Sequence, residues 1–209
     1  MASLPQNLPG TVGQAPTHPV RRDTLLGSSS IHTKNHIVAV ISEFAGTFLF
    51  LFFAYGGTNV VNSAVSYPQS EGAGATAAKM LYISLIFGLS LAVNVWAFFR
   101  IGGGLFNPAV AVGMWLTGSN TFLRTVLVII AQVVASIAAA GLVAGLLPGP
   151  LVVGTRLGNG MSVVRGLFLE MFLTAELVFV IFMLASEKHR ATFIAPVGIG
   201  LALFIIEMM

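Results

Sequence analysis

Residues 100–115 read RIGGGLFNPAVAVGMW, and this stretch decides the fold because it places a polar turn between two segments apolar enough to live in lipid. Gly102, Gly103 and Gly104 lead through Leu105 and Phe106 to Asn107, Pro108 and Ala109. Asparagine is a favoured helix N-cap, and proline suits the first helical position, where its missing N–H costs nothing. The pattern predicts a short helix from Pro108 to about Leu116, entered through a glycine loop. Lipid cannot satisfy free backbone N–H and C=O groups, so such a loop is tolerated at membrane depth only when it is buried in protein or lines water. There the glycines keep no side chains against neighbouring helices. The positive dipole end of the short helix points into the membrane interior, attracting lone pairs and opposing cations. The Asn107 carboxamide can donate to a passing polar molecule. The plain alternative is an N-cap in a loop outside the membrane, but Leu105, Phe106, Val110, Val112 and Trp115 favour burial.

The rest of the chain sets the membrane. Its 209 residues are 56% hydrophobic and 8% charged, with mean hydropathy +0.92, whereas soluble domains carry about 25% charged residues. Apolar windows long enough to cross a hydrocarbon core about 30 Å thick fall at about 37–56, 80–99, 121–146, 164–185 and 192–209. Five spans are expected. Residues 1–35 are rich in Pro, Gly, Ser, Thr and Asn and read as a disordered cytoplasmic tail, with a membrane domain over 36–209. If the tail is inside, the basic residues divide seven to three in favour of the inside: Arg21, Arg22, Lys34, Arg100, Arg124, Lys188 and Arg190 against Lys79, Arg156 and Arg165.

The spans carry an internal repeat. EFAGTFLFLF from Glu43 matches EMFLTAELVF from Glu170, each with a glutamate, three residues and a threonine, Thr47 or Thr174. FGLSLAV from Phe87 then matches IGLALFI from Ile199, aligning Gly88 with Gly200. Three spans separate the copies, which gives them opposite orientations, the arrangement of many transport folds. The repeat places a second copy of Asn107 near position 219, beyond Met209. The second polar turn and a sixth span are therefore expected to be missing, and residues 1–209 alone are expected not to conduct.

With EFAGT, FGLSLAV, GGLFNPAV, Gln132 in span three and Glu170 in this order, residues 36–209 resemble the aquaporin, or major intrinsic protein, family, and within it the fungal water-channel type. The resemblance implies an all-α integral membrane fold: an aquaporin-like inverted-repeat helical bundle, here with five transmembrane spans and one re-entrant half-helix. It implies a homotetramer with one pore per subunit, set among the lipids of the plasma membrane, that passes water in single file and also small neutral solutes. It assigns Asn107, Pro108 and Ala109 to the pore turn and Phe87 and Glu207 to the outer constriction. Glu43 and Glu170 brace the re-entrant loops, and Glu170 is expected to hold the loop at 103–106. Glu207 stands where strict water channels carry histidine, a departure that bears on selectivity. Leu105 and Ala111 also depart from the usual histidine and threonine.

Other chemistry finds no support. There is no cysteine, no metal-ligand spacing among His18, His32, His36 and His189, and no nucleophile elbow or phosphate-loop lysine, so no catalytic residue, metal, cofactor or nucleic-acid partner is expected. Two alternatives to a passive water channel stand beside it. One is a non-conducting fragment of such a channel, and the other a proton-coupled solute transporter using the intramembrane glutamates.

Overall fold

The computed structural model describes residues 23–63, 73–158, 160–187 and 192–209. Among them the chain forms six α-helices: α1, Asp23–Asn62; α2, Ala73–Phe98; α3, Pro108–Leu116; α4, Phe122–Leu146; α5, Val163–Ile181; and α6, Ala195–Ile206. A π-helical turn, Phe182–Ser186, extends α5, and a 3-10 turn, Thr192–Ile194, precedes α6. In lipid only helices satisfy every backbone group within one segment, and the apolar runs of the sequence take that form.

Four of these helices are long and apolar enough to cross a membrane: Thr33–Asn62, Gly74–Phe98, Phe122–Leu146 and Val163–Ser186. The window expected at 192–209 holds a shorter apolar helix, Thr192–Ile206. The chain is an integral membrane protein. The boundary set at residue 35 on composition falls inside α1, which begins at Asp23, while residues 1–22 lie outside the described residues. The reason is cooperativity: once an apolar span nucleates a helix, each added residue gains a hydrogen bond for little further entropy.

The helices close a ring. α4 packs on α1, α1 on α2, α2 on α6 and α6 on α5, while short α3 touches both α5 and α4 and bridges the gap between them. The ring encloses apolar side chains such as Phe50, Leu91 and Val110 together with polar ones, while its outside is apolar. Glu43, Asn94 and Gln132 are buried, whereas Val93, Trp96, Val133, Val134 and Ile137 are exposed, the reverse of a soluble bundle.

The repeat has a physical counterpart where α2 crosses α6. A Cβ on Gly88 would lie 2.6 Å from the Gly200 carbonyl oxygen, and a Cβ on Gly200 would lie 2.5 Å from that of Gly88. This reciprocal contact is what a local two-fold axis produces. The two glycines aligned by sequence sit against each other, and the missing side chains let the backbones approach.

Candidate functional site

The chain leaves α2 in a turn in which the N–H groups of Ile101 and Gly102 donate to the Phe98 carbonyl at 2.9 and 3.1 Å, and that of Gly103 donates to Phe99 at 3.2 Å. Gly103 and Gly104 then take φ of 116° and 65°, in the left-handed region that L side chains avoid. Phe106 also has positive φ, 49°, a conformation that costs a non-glycine residue roughly 1–2 kcal/mol. Tertiary contacts hold it there. Its ring is 3% exposed and meets Phe98 edge-on with centroids 6.2 Å apart. A Cβ on Gly46 of α1 would collide with that ring, so the glycine of EFAGT is the seat for Phe106.

Glu43 fixes the same segment electrostatically. Leu105 N–H donates to Glu43 Oε1 at 2.9 Å, Phe106 N–H donates to Oε2 at 2.9 Å, and the Gln132 amide donates to Oε2 at 2.9 Å. The carboxylate is fully buried. Isolated burial of such a group costs several kcal/mol, and three N–H donors offset it. The assignment of the 103–106 loop to Glu170 is corrected here: Glu43 receives those N–H groups, and Glu170 is exposed. The physical reason is proximity. α1 and α4 pack together and close over the loop, whereas α5 presents Glu170 to open space across the ring.

Asn107 caps α3 from extended backbone, φ −146°, and its Oδ1 accepts the Ala109 N–H at 2.8 Å. Pro108 sits at the start of the helix, with Ala109 following. The cap bond engages Oδ1 and leaves the amide donors of Asn107 for the space it faces. That space is a cavity of about 750 Å³, whose wall also carries Glu170, Thr174, Leu177, Arg156 and Glu207. A second cavity of about 240 Å³ lies along Gly102, Gly103, Leu105, Arg124 and Ile181. The re-entrant segment thus walls both cavities. Leu177 and Ile181 are four residues apart on α5, about one helical turn or 6 Å. The wide space has polar and apolar groups in its wall in similar measure, the narrow one mostly apolar groups, and the two are lined one turn apart on α5.

The structure brings Asn107, Glu170 and Glu207 to the wide cavity and Gly102 and Gly103 to the narrow one, while Glu43 stands behind the segment. Phe87 lies outside the wall of the wide cavity and packs edge-on against Phe50 and Tyr55, at 6.2 and 6.5 Å between centroids. Sequence reasoning missed the work of Gln132, Gly46 and Arg124. A signal existed for Gln132, a lone amide inside an apolar span. None existed for Gly46, whose partner is sixty positions away.

Comparison with known proteins covers the same region. The family model described as Major intrinsic protein matches residues 30–209. The chain is similar to "Aquaporin-7" of Botryotinia fuckeliana (strain B05.10), 58% identical over 178 residues, which are 84% of this chain and 39% of that protein. It is 57% identical over 177 residues to "Aquaporin-2" of the same organism, covering 84% of this chain and 47% of that protein. "Probable aquaporin-5" of Gibberella zeae is 54% identical over 181 residues, 84% of this chain and 33% of that protein. The chain thus spans less than half the length of these curated relatives.

Proposed function

The chain belongs to the major intrinsic protein family, and from that premise we propose that the whole protein is a passive water channel that also admits small neutral solutes. One observation carries the reading: the capped start of α3 opens onto a cavity, and a second cavity lies behind the same segment. A water molecule at the apolar step between Leu177 and Ile181 has few partners there, so the Asn107 amide donors set its orientation. The dipole of α3 places positive potential at that point and opposes hydronium and metal cations alike. Oriented donors in an otherwise apolar passage let water through singly without passing a proton along the file.

In this proposal Phe87 and Glu207 shape the outer constriction, an assignment supported by the family resemblance and, for Glu207, by its place on the wide cavity. Glu170 braces a second re-entrant segment of the whole protein as Glu43 braces the first. The N-terminus is cytoplasmic, supported by the seven-to-three division of Lys and Arg. The protein works as a homotetramer surrounded by plasma-membrane lipid. Stopped-flow shrinkage of vesicles carrying the whole protein tests the reading. Water flux well above lipid background, with no acidification of the lumen, is expected; flux equal to that of empty vesicles refutes it. Phe87→Ala should widen passage to glycerol, and an unchanged solute profile removes Phe87 from the constriction.

A further inference from the structure

We propose that Arg124 is a positioning residue that latches the re-entrant segment at its glycine end and thereby holds the narrow cavity in shape. The inference rests on reading that segment as pore wall. Arg124 Nη2 donates to the Gly102 carbonyl at 2.9 Å from a half-buried position. Gly102 itself is buried, and a Cβ there would collide with the Ser42 hydroxymethyl group of α1.

The position of Arg124 on its own helix is unfavourable. Thr121 caps α4 by accepting the Arg124 N–H at 3.3 Å, which puts the guanidinium in the first turn, at the positive end of the helix dipole. A cation at that end opposes the dipole rather than complementing it. The charge-assisted bond to Gly102 is what this placement gains, since hydrogen bonds with one charged partner are about twice as strong as neutral ones.

The latch completes a two-point grip. α4 reaches the segment through Arg124 at Gly102 and again through Gln132 and Glu43 at Leu105 and Phe106. Arg124 and Gln132 are eight positions apart on α4, about 12 Å along its axis. Between the anchored points lie Gly103 and Gly104, both at positive φ and without side chains to pack. Without the Arg124 bond this end is held by the Gly102 and Gly103 N–H bonds to the Phe98 and Phe99 carbonyls, and the two glycines, with the wall of the narrow cavity, can shift more readily. Arg124 is also the charged side chain among the described residues of that wall.

The absence of cysteine from residues 1–209 makes a direct test possible. Leu105→Cys puts one thiol on the buried wall of the narrow cavity, and Ala139→Cys puts a control thiol at another buried place, on α4. Each is combined with Arg124→Met, which keeps the stem and removes the donors, or with Arg124→Lys, which keeps a donor. In the whole protein in detergent, with any cysteine outside residues 1–209 replaced by serine, labelling of Cys at 105 by a small neutral thiol reagent should speed up about tenfold with Arg124→Met. Arg124→Lys should restore most of the protection, and the control at 139 should be unaffected. Equal acceleration at both sites means general loosening and overturns the latch, as does no change at 105. Water flux separates the two readings: labelling that behaves as expected in a protein that passes no water leaves the latch standing and removes the channel.

Discussion

Glu43 of α1 and Glu170 of α5 occupy the same place in the repeat, yet Glu43 is fully buried under three N–H donors while Glu170 is exposed on the wall of the wide cavity. The difference continues along the helix. Three residues on, the first copy has Gly46, which receives the Phe106 ring, and the second has Leu173, which lines the cavity. One residue further, Thr47 is buried and Thr174 faces the cavity. A repeat therefore specifies where a carboxylate stands, and the segment packed against it decides what that carboxylate does. Where the copies meet directly, at Gly88 and Gly200, they behave alike.

The comparison can be broken most severely at Glu43. Glu43→Leu strands two backbone N–H groups and the Gln132 amide in the interior, and each unsatisfied group costs about 1–3 kcal/mol. The expected result is near-complete loss of monodisperse protein on size exclusion in detergent; Glu43→Gln, which keeps one acceptor, should be intermediate. Normal yield of Glu43→Leu would show that the loop holds itself.

Exchange at the next position should be asymmetric. Gly46→Leu displaces the Phe106 ring and should destabilise by about 3 kcal/mol, at the upper end of overpacking. Leu173→Gly removes a cavity-lining side chain and costs mainly helix propensity, about 1 kcal/mol. Thermal midpoints of the two variants, measured side by side, test the asymmetry.

At the crossing the copies should become indistinguishable. Gly88→Ala and Gly200→Ala each drive a methyl group against the facing carbonyl and should cost about 2 kcal/mol apiece. The double variant should cost clearly less than the two together, since both act on one contact. Additive losses would mean that the glycines do not report on a shared axis.

Smaller effects follow at the polar turn. Asn107→Ala removes the α3 cap and should lower stability by about 1 kcal/mol, while Asn107→Asp, which still caps, should change it little. Both should reduce water flux, because neither keeps the amide donors. At the end of the scale, Glu170→Gln should shift the thermal midpoint of residues 1–209 by the equivalent of no more than about 0.5 kcal/mol, as for exposed substitutions generally. A large shift there would erase the contrast with Glu43.

How much of this was legible follows from the range of each interaction. Spans two to four, the cap at Asn107, the α3 boundaries and the repeat rest on local composition and spacing, and the sequence carries them openly. The extension of α1 back to Asp23 had no apolar signal to mark it, because the residues before the first span lack apolar character. The exchange of Glu43 for Glu170 as the brace had another cause. Both glutamates look alike in sequence, and nothing local distinguishes a carboxylate that meets N–H donors from one that meets open space.

The sequence by itself determined that this is a helical membrane protein with a polar turn at membrane depth, since lipid imposes helix on any long apolar run and tolerates a glycine loop only in shelter. Only the tertiary structure decided which helices provide that shelter. Glu43, Gly46, Arg124 and Gln132 come from α1 and α4 and converge, Gln132 through Glu43, on Gly102, Leu105 and Phe106 between α2 and α3. Their contacts span 22 to 89 positions of chain. Such pairings are set by which helix faces pack together, and in lipid that rests on close packing and interhelical hydrogen bonds, which exist only once the ring has closed.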